Sequence, residues 1–214
     1  MKLHRIPVGP FATNCVLVTD DAGDGIVVDP GGDADRIAER ISALSIRPAL
    51  IVLTHGHLDH CLDVAAISNR YGIPVAIHPL DLPLYRNLPR QVEALLGPVA
   101  AAAMRPDPLP EPGLLLNDGD RIPIGSLEAE VLHLPGHTPG GVGLLIRTEP
   151  PTLLCGDTIF RDGIGRTDLW GGSFESLIHS IRTRIFRLPD DTRLVCGHGA
   201  ETTVGREKAF FPYD

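Results

Sequence analysis

Three histidines and an aspartate fall within the run His55-Gly56-His57-Leu58-Asp59-His60. Imidazole nitrogen and carboxylate oxygen together suit borderline divalent metals. Residues two apart lie on one side of an extended chain but not on one helical face, so His55 and His57 belong to a strand end or loop. From Asp59 to Ile67 the apolar residues take helical spacing after an acidic start, which predicts a helix there. That turn would point Asp59 and His60 away from His55 and His57. One short run could then serve two adjacent metals. A lone H-x-H would read as solvated loop histidines; H-x-H-x-D-H directly after an apolar strand does not.

The elements that must hold this run can be read from periodicity. The apolar stretch 49–53 is a buried strand that delivers it. Strands are also expected at 2–8, 15–19 and 25–29, with a helix at 33–44 on the spacing of Ile37, Ile41 and Leu44. A short strand follows at 73–78. This β-α-β-α-β order favours an α/β fold. His78, at a strand end before proline, reads as a packed or capping histidine. Residues 79–112 form an insertion with helices near 91–96 and after Pro98 and an extended linker at 105–110; it is either a lid over the site or a surface excursion. Strands resume at 113–116, at 118–122 across a turn, and at 127–133, 142–146 and 152–155. A helix capped by Ser173 then runs through Ile178, Ile181, Ile185 and Leu188, and a last strand is expected at 192–196.

Three more residues of metal-binding type stand at the ends of these later strands. His137 lies between proline and glycine turns in Pro135-Gly136-His137-Thr138-Pro139-Gly140. Asp157 follows an apolar strand in Gly156-Asp157-Thr158, where a carboxylate is costly to bury unless paired. His198 sits in Gly197-His198-Gly199. His133 is a polar neighbour of His137, and His179 reads as structural or exposed.

Composition narrows the function classes. The chain has 214 residues, 43% hydrophobic, with a formal net charge of -8. One domain spanning 1–214 is expected. The negative charge argues against a nucleic-acid partner, which needs a basic footprint. No apolar leader region or membrane-length run is visible, so a cytoplasmic protein with no membrane partner is expected. The four cysteines, Cys15, Cys61, Cys155 and Cys196, form no C-x-x-C pair and read as reduced core thiols.

With His137, Asp157 and His198 set beside H-x-H-x-D-H, the chain resembles the metallo-β-lactamase-fold superfamily. The resemblance implies a single-domain, four-layer αββα sandwich. It implies that His55, His57 and His137 hold one metal, that Asp59, His60 and His198 hold a second, and that Asp157 bridges them. Asp29, readable as a plain turn residue before Pro30-Gly31, would orient the histidine loop. Two divalent ions follow, zinc first, with iron or manganese suited to the same ligands. Such a pair acidifies water for attack on a carbonyl, with Asp59 placed to orient it as the catalytic carboxylate.

Within that superfamily, the stretches 156–168 and 197–205 resemble glyoxalase II enzymes, which hydrolyse S-acylglutathione thioesters. Arg166 falls where those enzymes place a basic residue against the glutathione glycyl carboxylate. A thiolate leaving group has a conjugate-acid pKa near ~8.5, so no strong general acid is needed. The chain lacks the C-terminal helical domain of full-length glyoxalase II and resembles the short, glyoxalase II-like subgroup. The expected partner is a small-molecule thioester, the expected state a monomer or homodimer. The alternative is a mononuclear-iron glutathione persulfide dioxygenase, which shares a G-R-T-D-like segment; a lactonase or other small-ester hydrolase is a further one. A metal-stabilised binding module without catalysis would close its coordination sphere with protein ligands, whereas seven ligands over two metals leave positions open.

Overall fold

The computed structural model describes residues 1–104 and 108–213, with the side chains of 100–104 set apart. Part of the linker expected at 105–110 therefore lies outside the described residues. Strands β1 (Lys2–Val8), β2 (Thr13–Thr19) and β3 (Asp24–Val28) form an antiparallel meander. Helix α1 (Ala34–Ala43) crosses to β4 (Arg47–Val52), which lies parallel to β3. Helices α2 (Leu58–Cys61) and α3 (Val64–Tyr71) lead to β5 (Val75–Ile77), parallel to β4. A helical excursion follows, made of a 3-10 turn (Pro79–Asp81), α4 (Leu82–Arg86) and α5 (Leu88–Met104), and ends in β6 (Leu114–Leu115) beside β5. The left-handed φ of 84° at Gly97, before Pro98, kinks α5.

The second sheet begins with β7 (Arg121–Ile124), β8 (Leu127–His133), β9 (Val142–Ile146) and β10 (Thr152–Gly156). A small hairpin, β11 (Ile159–Phe160) and β12 (Gly163–Ile164), projects beyond it. Helix α6 (Phe174–Ser180), β13 (Arg193–Cys196), β14 (Thr202–Thr203) and α7 (Val204–Ala209) complete the chain. The sheets have the orders β1-β2-β3-β4-β5-β6 and β14-β13-β10-β9-β8-β7.

Alternation along the strands builds the layers. Val16, Val18, Ile26 and Val28 turn towards Val131, Leu144, Ile146 and Leu154 between the sheets. Their neighbours Cys15, Leu17 and Val27 pack outward on Ile37 and Ile41 of α1 and on Val64 and Ile67 of α3. On the far side Leu145 and Leu153 pack on Leu177, Ile181 and Ile185. The result is the expected four-layer αββα sandwich. All four cysteines are free and buried, as read from their spacing. No helix among the described residues is long and apolar enough to cross a membrane.

Two helices differ from expectation. The predicted helix 59–67 is broken into α2 and α3 because Asp63 bonds outside it: its N–H donates to Pro30 O (3.0 Å) and its carboxylate accepts Ala34 N–H (2.7 Å) at the start of α1. The helix after Ser173 changes to a π-helical turn over Ile181–Ile185, with Phe186 N–H reaching Ile181 O at 2.8 Å. There the Thr183 hydroxyl donates to His179 O (2.8 Å), so the side chain takes a carbonyl that the regular helical ladder would use.

Candidate metal centre

The centre begins where β3 and β4 end side by side. Asp29 stands at φ 52°, in the left-handed region, and is also buried. Its Oδ1 accepts Thr54 N–H (2.8 Å), and its Oδ2 accepts the Thr54 hydroxyl (2.6 Å) and His60 Nδ1 (2.9 Å). Asp29 thus sits in the turn and hydrogen-bonds to Thr54 and His60, at the two ends of the histidine run. Thr54 O in turn accepts Val142 N–H (2.8 Å), which ties the loop to the second sheet.

These bonds set the ring protons. The Thr54 hydroxyl gives its hydrogen to Asp29, so His55 Nδ1, 3.1 Å from that oxygen, must donate to it. His137 Nδ1 donates to Arg166 O (2.7 Å), and His198 Nδ1 to Phe11 O (3.1 Å). His60 Nδ1 donates to Asp29. In each case Nε2 is left with a lone pair aimed inward, the tautomer a metal ligand requires.

Three groups of donor atoms converge, each within 4.8 Å of one another: His55, His57 and His137; His55, His60 and Asp157; Asp59, His60 and His198. His57 Nδ1 lies 2.9 Å from His137 Nε2. Two nitrogens bound tetrahedrally to one zinc ion would lie about 3.3 Å apart, so the pair is near the spacing a shared cation gives. Asp157 stands between the groups, with Oδ1 3.4 Å from His60 Nε2 and Oδ2 3.7 Å from His137 Nε2 and 3.5 Å from His198 Nε2. Asp59 Oδ2 is 3.1 Å from His198 Nε2 and accepts the Thr13 hydroxyl (3.2 Å).

A pair of cations fits this arrangement. His55 Nε2, His60 Nε2 and Asp157 Oδ1 are buried with no hydrogen-bond partner among the described residues, a costly state for polar atoms. A lone pair on His60 Nε2 facing two carboxylates needs positive charge between them. Without a metal that charge is a proton: burial opposes it, but the carboxylates of Asp157, Asp29 and Asp59 outweigh burial and hold His60 well above the ordinary histidine range. His55, buried among other histidines with no carboxylate contact of this kind, is pushed well below it. Burial would raise Asp59 and Asp157, yet the histidines beside them keep both carboxyls below their usual value.

Asp29 and all seven residues expected as ligands therefore meet at one end of the sandwich. Arg166 is nearby in a different posture. Its carbonyl seats His137, while its guanidinium is held by both carboxylate oxygens of Asp168 at 2.7 Å. Together with Arg161, Phe160, Ile164, Gly199 and Ala200 it lines a cavity of about 500 Å³ that opens on His137, Asp157 and His198. His78 caps the 3-10 turn and stacks on His133 at 4.3 Å, and His179 is exposed. Cys61 is buried behind the loop with Sγ on His55 O.

Several positioning residues carry no sequence signal. Asn14 donates its side-chain amide to Cys196 O (2.9 Å) and Gly199 O (3.0 Å), and Arg5 donates to Gly199 O (2.7 Å), so the first two strands cradle the His198 loop. The excursion after β5 is anchored inward at its start. Gln91 is buried, donates to Gly56 O (2.8 Å) and accepts Leu58 N–H (3.1 Å). Asp81 is buried on the same loop.

Comparison with known proteins agrees with this geometry. The family model described as the Metallo-beta-lactamase superfamily matches residues 8–198. The chain is 37% identical over its whole length to the hydroxyacylglutathione hydrolase GloC of Haemophilus influenzae, covering 98% of that protein. Among solved structures, the BLEG-1 B3 metallo-beta-lactamase superposes with a TM-score of 0.89 at 34% identity, over 99% of this chain and 98% of that one. TTHA1623 in a di-iron-bound form gives 0.86 at 33% identity, over 98% of each chain. Sheet order, the histidine and aspartate cluster and these likenesses lead to one conclusion: the chain belongs to the metallo-beta-lactamase superfamily and is a metallo-hydrolase of that fold.

Proposed function

We propose that the protein is a dinuclear metal-dependent thioesterase acting on S-acylglutathione-like thioesters. The observation that carries the reading is the cavity of about 500 Å³, lined by Arg161, Arg166 and Phe160, which opens on His137, Asp157 and His198. His55, His57 and His137 would hold one metal and Asp59, His60 and His198 the other, with Asp157 between them. Zinc or iron suits these donors, and a solved relative is described as di-iron-bound. When bound there, the ions supply Lewis acidity to a carbonyl oxygen and acidify water.

The chain's own residues do the rest. Asp59, kept ionised beside His60 and His198 and fixed by the Thr13 hydroxyl, accepts a hydrogen bond from the attacking water and orients it. Arg161 on the cavity wall, and Arg166 on exchanging Asp168 for substrate, attract the carboxylates of the thiol carrier, and Phe160 and Ile164 cover its apolar part. The sulfur leaves as a thiolate without a dedicated acid. The 37% identity to a hydroxyacylglutathione hydrolase supports this substrate class. The negative charge of the chain fits a small metabolite better than a nucleic acid, and we place the protein in the cytoplasm.

Free-thiol release from S-lactoylglutathione by purified protein, with a chelator-treated control, tests the proposal. Metal-dependent release is expected, with Arg166→Ala raising KM more than it lowers kcat. A metal-replete protein that releases no thiol sinks it, and oxygen consumption with glutathione persulfide becomes the next assay.

A further inference from the structure

Asp81 ends the 3-10 turn after β5 and is fully buried, with 0% of its surface exposed. Its carboxylate has three close donors, all from elsewhere in the fold. Oδ2 accepts Gly56 N–H (2.8 Å) and the Thr138 hydroxyl (2.7 Å), and Oδ1 accepts Gly140 N–H (2.6 Å). Gly56 separates His55 from His57, while Thr138 and Gly140 follow His137 in sequence. One carboxylate thus joins the two loops that carry the three-histidine group. None of these three bonds reaches the segment of Asp59 and His60 or that of His198.

The contact is also close-fitted. A Cβ on Gly140 would lie 2.7 Å from both the backbone nitrogen and Oδ1 of Asp81, and one on Gly56 would lie 2.9 Å from Asp81 O. Glycine at both positions lets the backbones approach the carboxylate. Burying a carboxylate is unfavourable unless its acceptor sites are filled, and here two backbone N–H groups and a hydroxyl fill them, donors that an apolar side chain would leave unpaired. What a carboxylate adds is a fixed distance between two loops.

We propose that Asp81 is a positioning residue that sets the 55–57 loop against the His137 loop and thereby governs affinity at one of the two metal positions. This rests on reading His55, His57 and His137 as metal ligands. Removing such a support loosens the three histidines as a set and leaves the Asp59, His60 and His198 group to its own anchors, Asp29, Thr13 and the Phe11 carbonyl.

The test is zinc binding to metal-free protein, read as stoichiometry by elemental analysis and as affinity by competition with a chromogenic chelator. Wild type is expected to bind two ions. Asp81→Asn is expected to weaken one of them by about 10–100-fold and leave the other unchanged. Thr138→Val, nearly isosteric and removing one of the three bonds, should give a smaller loss at the same position; it carries the test alone if Asp81→Asn does not fold. In a His57→Ala background, where the three-histidine group is already broken, Asp81→Asn should have no further effect on the remaining ion. Equal weakening of both ions, no weakening, or an effect that persists in that background would overturn the positioning role while wild type still binds two. A wild type that binds fewer than two ions overturns the ligand reading and this role with it.

Discussion

Replacing Asp29 by Asn removes one charge and one acceptor from a site with no slack. Three donors meet this carboxylate: Thr54 N–H at 2.8 Å, the Thr54 hydroxyl at 2.6 Å and His60 Nδ1 at 2.9 Å. An Asn keeps its carbonyl towards Thr54 N–H, because an amide group there would set donor against donor. Its NH2 then takes the place of Oδ2. The Thr54 hydroxyl can rotate to accept from it, but His60 can accept only by moving its proton from Nδ1 to Nε2. That proton would point at Asp157 and Asp59, where the metal reading needs a lone pair. Restoring the Nδ1–H tautomer means losing a hydrogen bond to a charged acceptor, worth about 1.5–3 kcal/mol. The expected result is a loss of roughly 10–100-fold in affinity for the metal held by His60. In the metal-free protein Nε2 already carries a proton directed at Asp157, so there the variant gives up only the bond to Asp29 and folding should suffer less. Chelator competition measures the affinity, and nitrogen-15 NMR of the His60 ring reports the tautomer. Wild-type affinity with the His60 proton still on Nδ1 would refute this reasoning.

Other expectations follow from the same geometry. Asp59→Asn and Asp157→Asn should each lower turnover by roughly 100-fold or more while shifting the denaturation midpoint of the metal-free protein little; parallel loss of both would count against a catalytic role. Gly197→Ala would place a Cβ 2.0 Å from Asp157 Oδ1 and 2.9 Å from His60 Cε1, so it should empty the second metal position, as elemental analysis would show. His78 is lowered to about 4 by burial and by the adjacent His133. The folded state therefore resists a proton that the unfolded chain accepts near ~6.5, and this contribution is full above that pH and lost as pH falls towards 4. Denaturant melts at pH 7 and pH 5 should separate less for His78→Gln than for wild type, and an equal separation would remove His78 as the source.

The seven residues of the cluster were legible because His55, His57, His137, Asp157 and His198 stand beside turn residues beyond strand ends, and because four of the seven share one six-residue run. The sandwich was legible only through the family resemblance: periodicity gave a mixed α/β order, and the continuous apolar runs Cys15-Val16-Leu17-Val18 and Ile26-Val27-Val28 do not show which residues face the second sheet. Asp81 was not legible. Its donors lie 25, 57 and 59 residues away, and no local pattern marks an aspartate in a 3-10 turn as an acceptor for distant loops. Asn14, whose partners lie 182 and 185 residues on, was hidden for the same reason. The break at Asp63 and the π-helical turn at Ile181–Ile185 arise from single side-chain or tertiary bonds that override a helical apolar pattern. The insertion at 79–112 offered two readings, lid or excursion; neither foresaw that its first part is anchored inward, with Asp81 and Gln91 both at 0% exposure and bonded to the histidine loop.

The seat of the His198 loop is built by Arg5 and Asn14, close to the other end of the chain. On a ribosome, the seat and the 55–60 run are made first and the residue that completes the centre comes near the end. At about 5–20 residues per second the interval between His60 and His198 is on the order of ten seconds. For that time a nascent chain exposes histidines and carboxylates that can take up an ion but cannot enclose it. A product cut short before His198 would lack one corner of the cluster, and an ion taken up by the 55–60 run would stay open on that side.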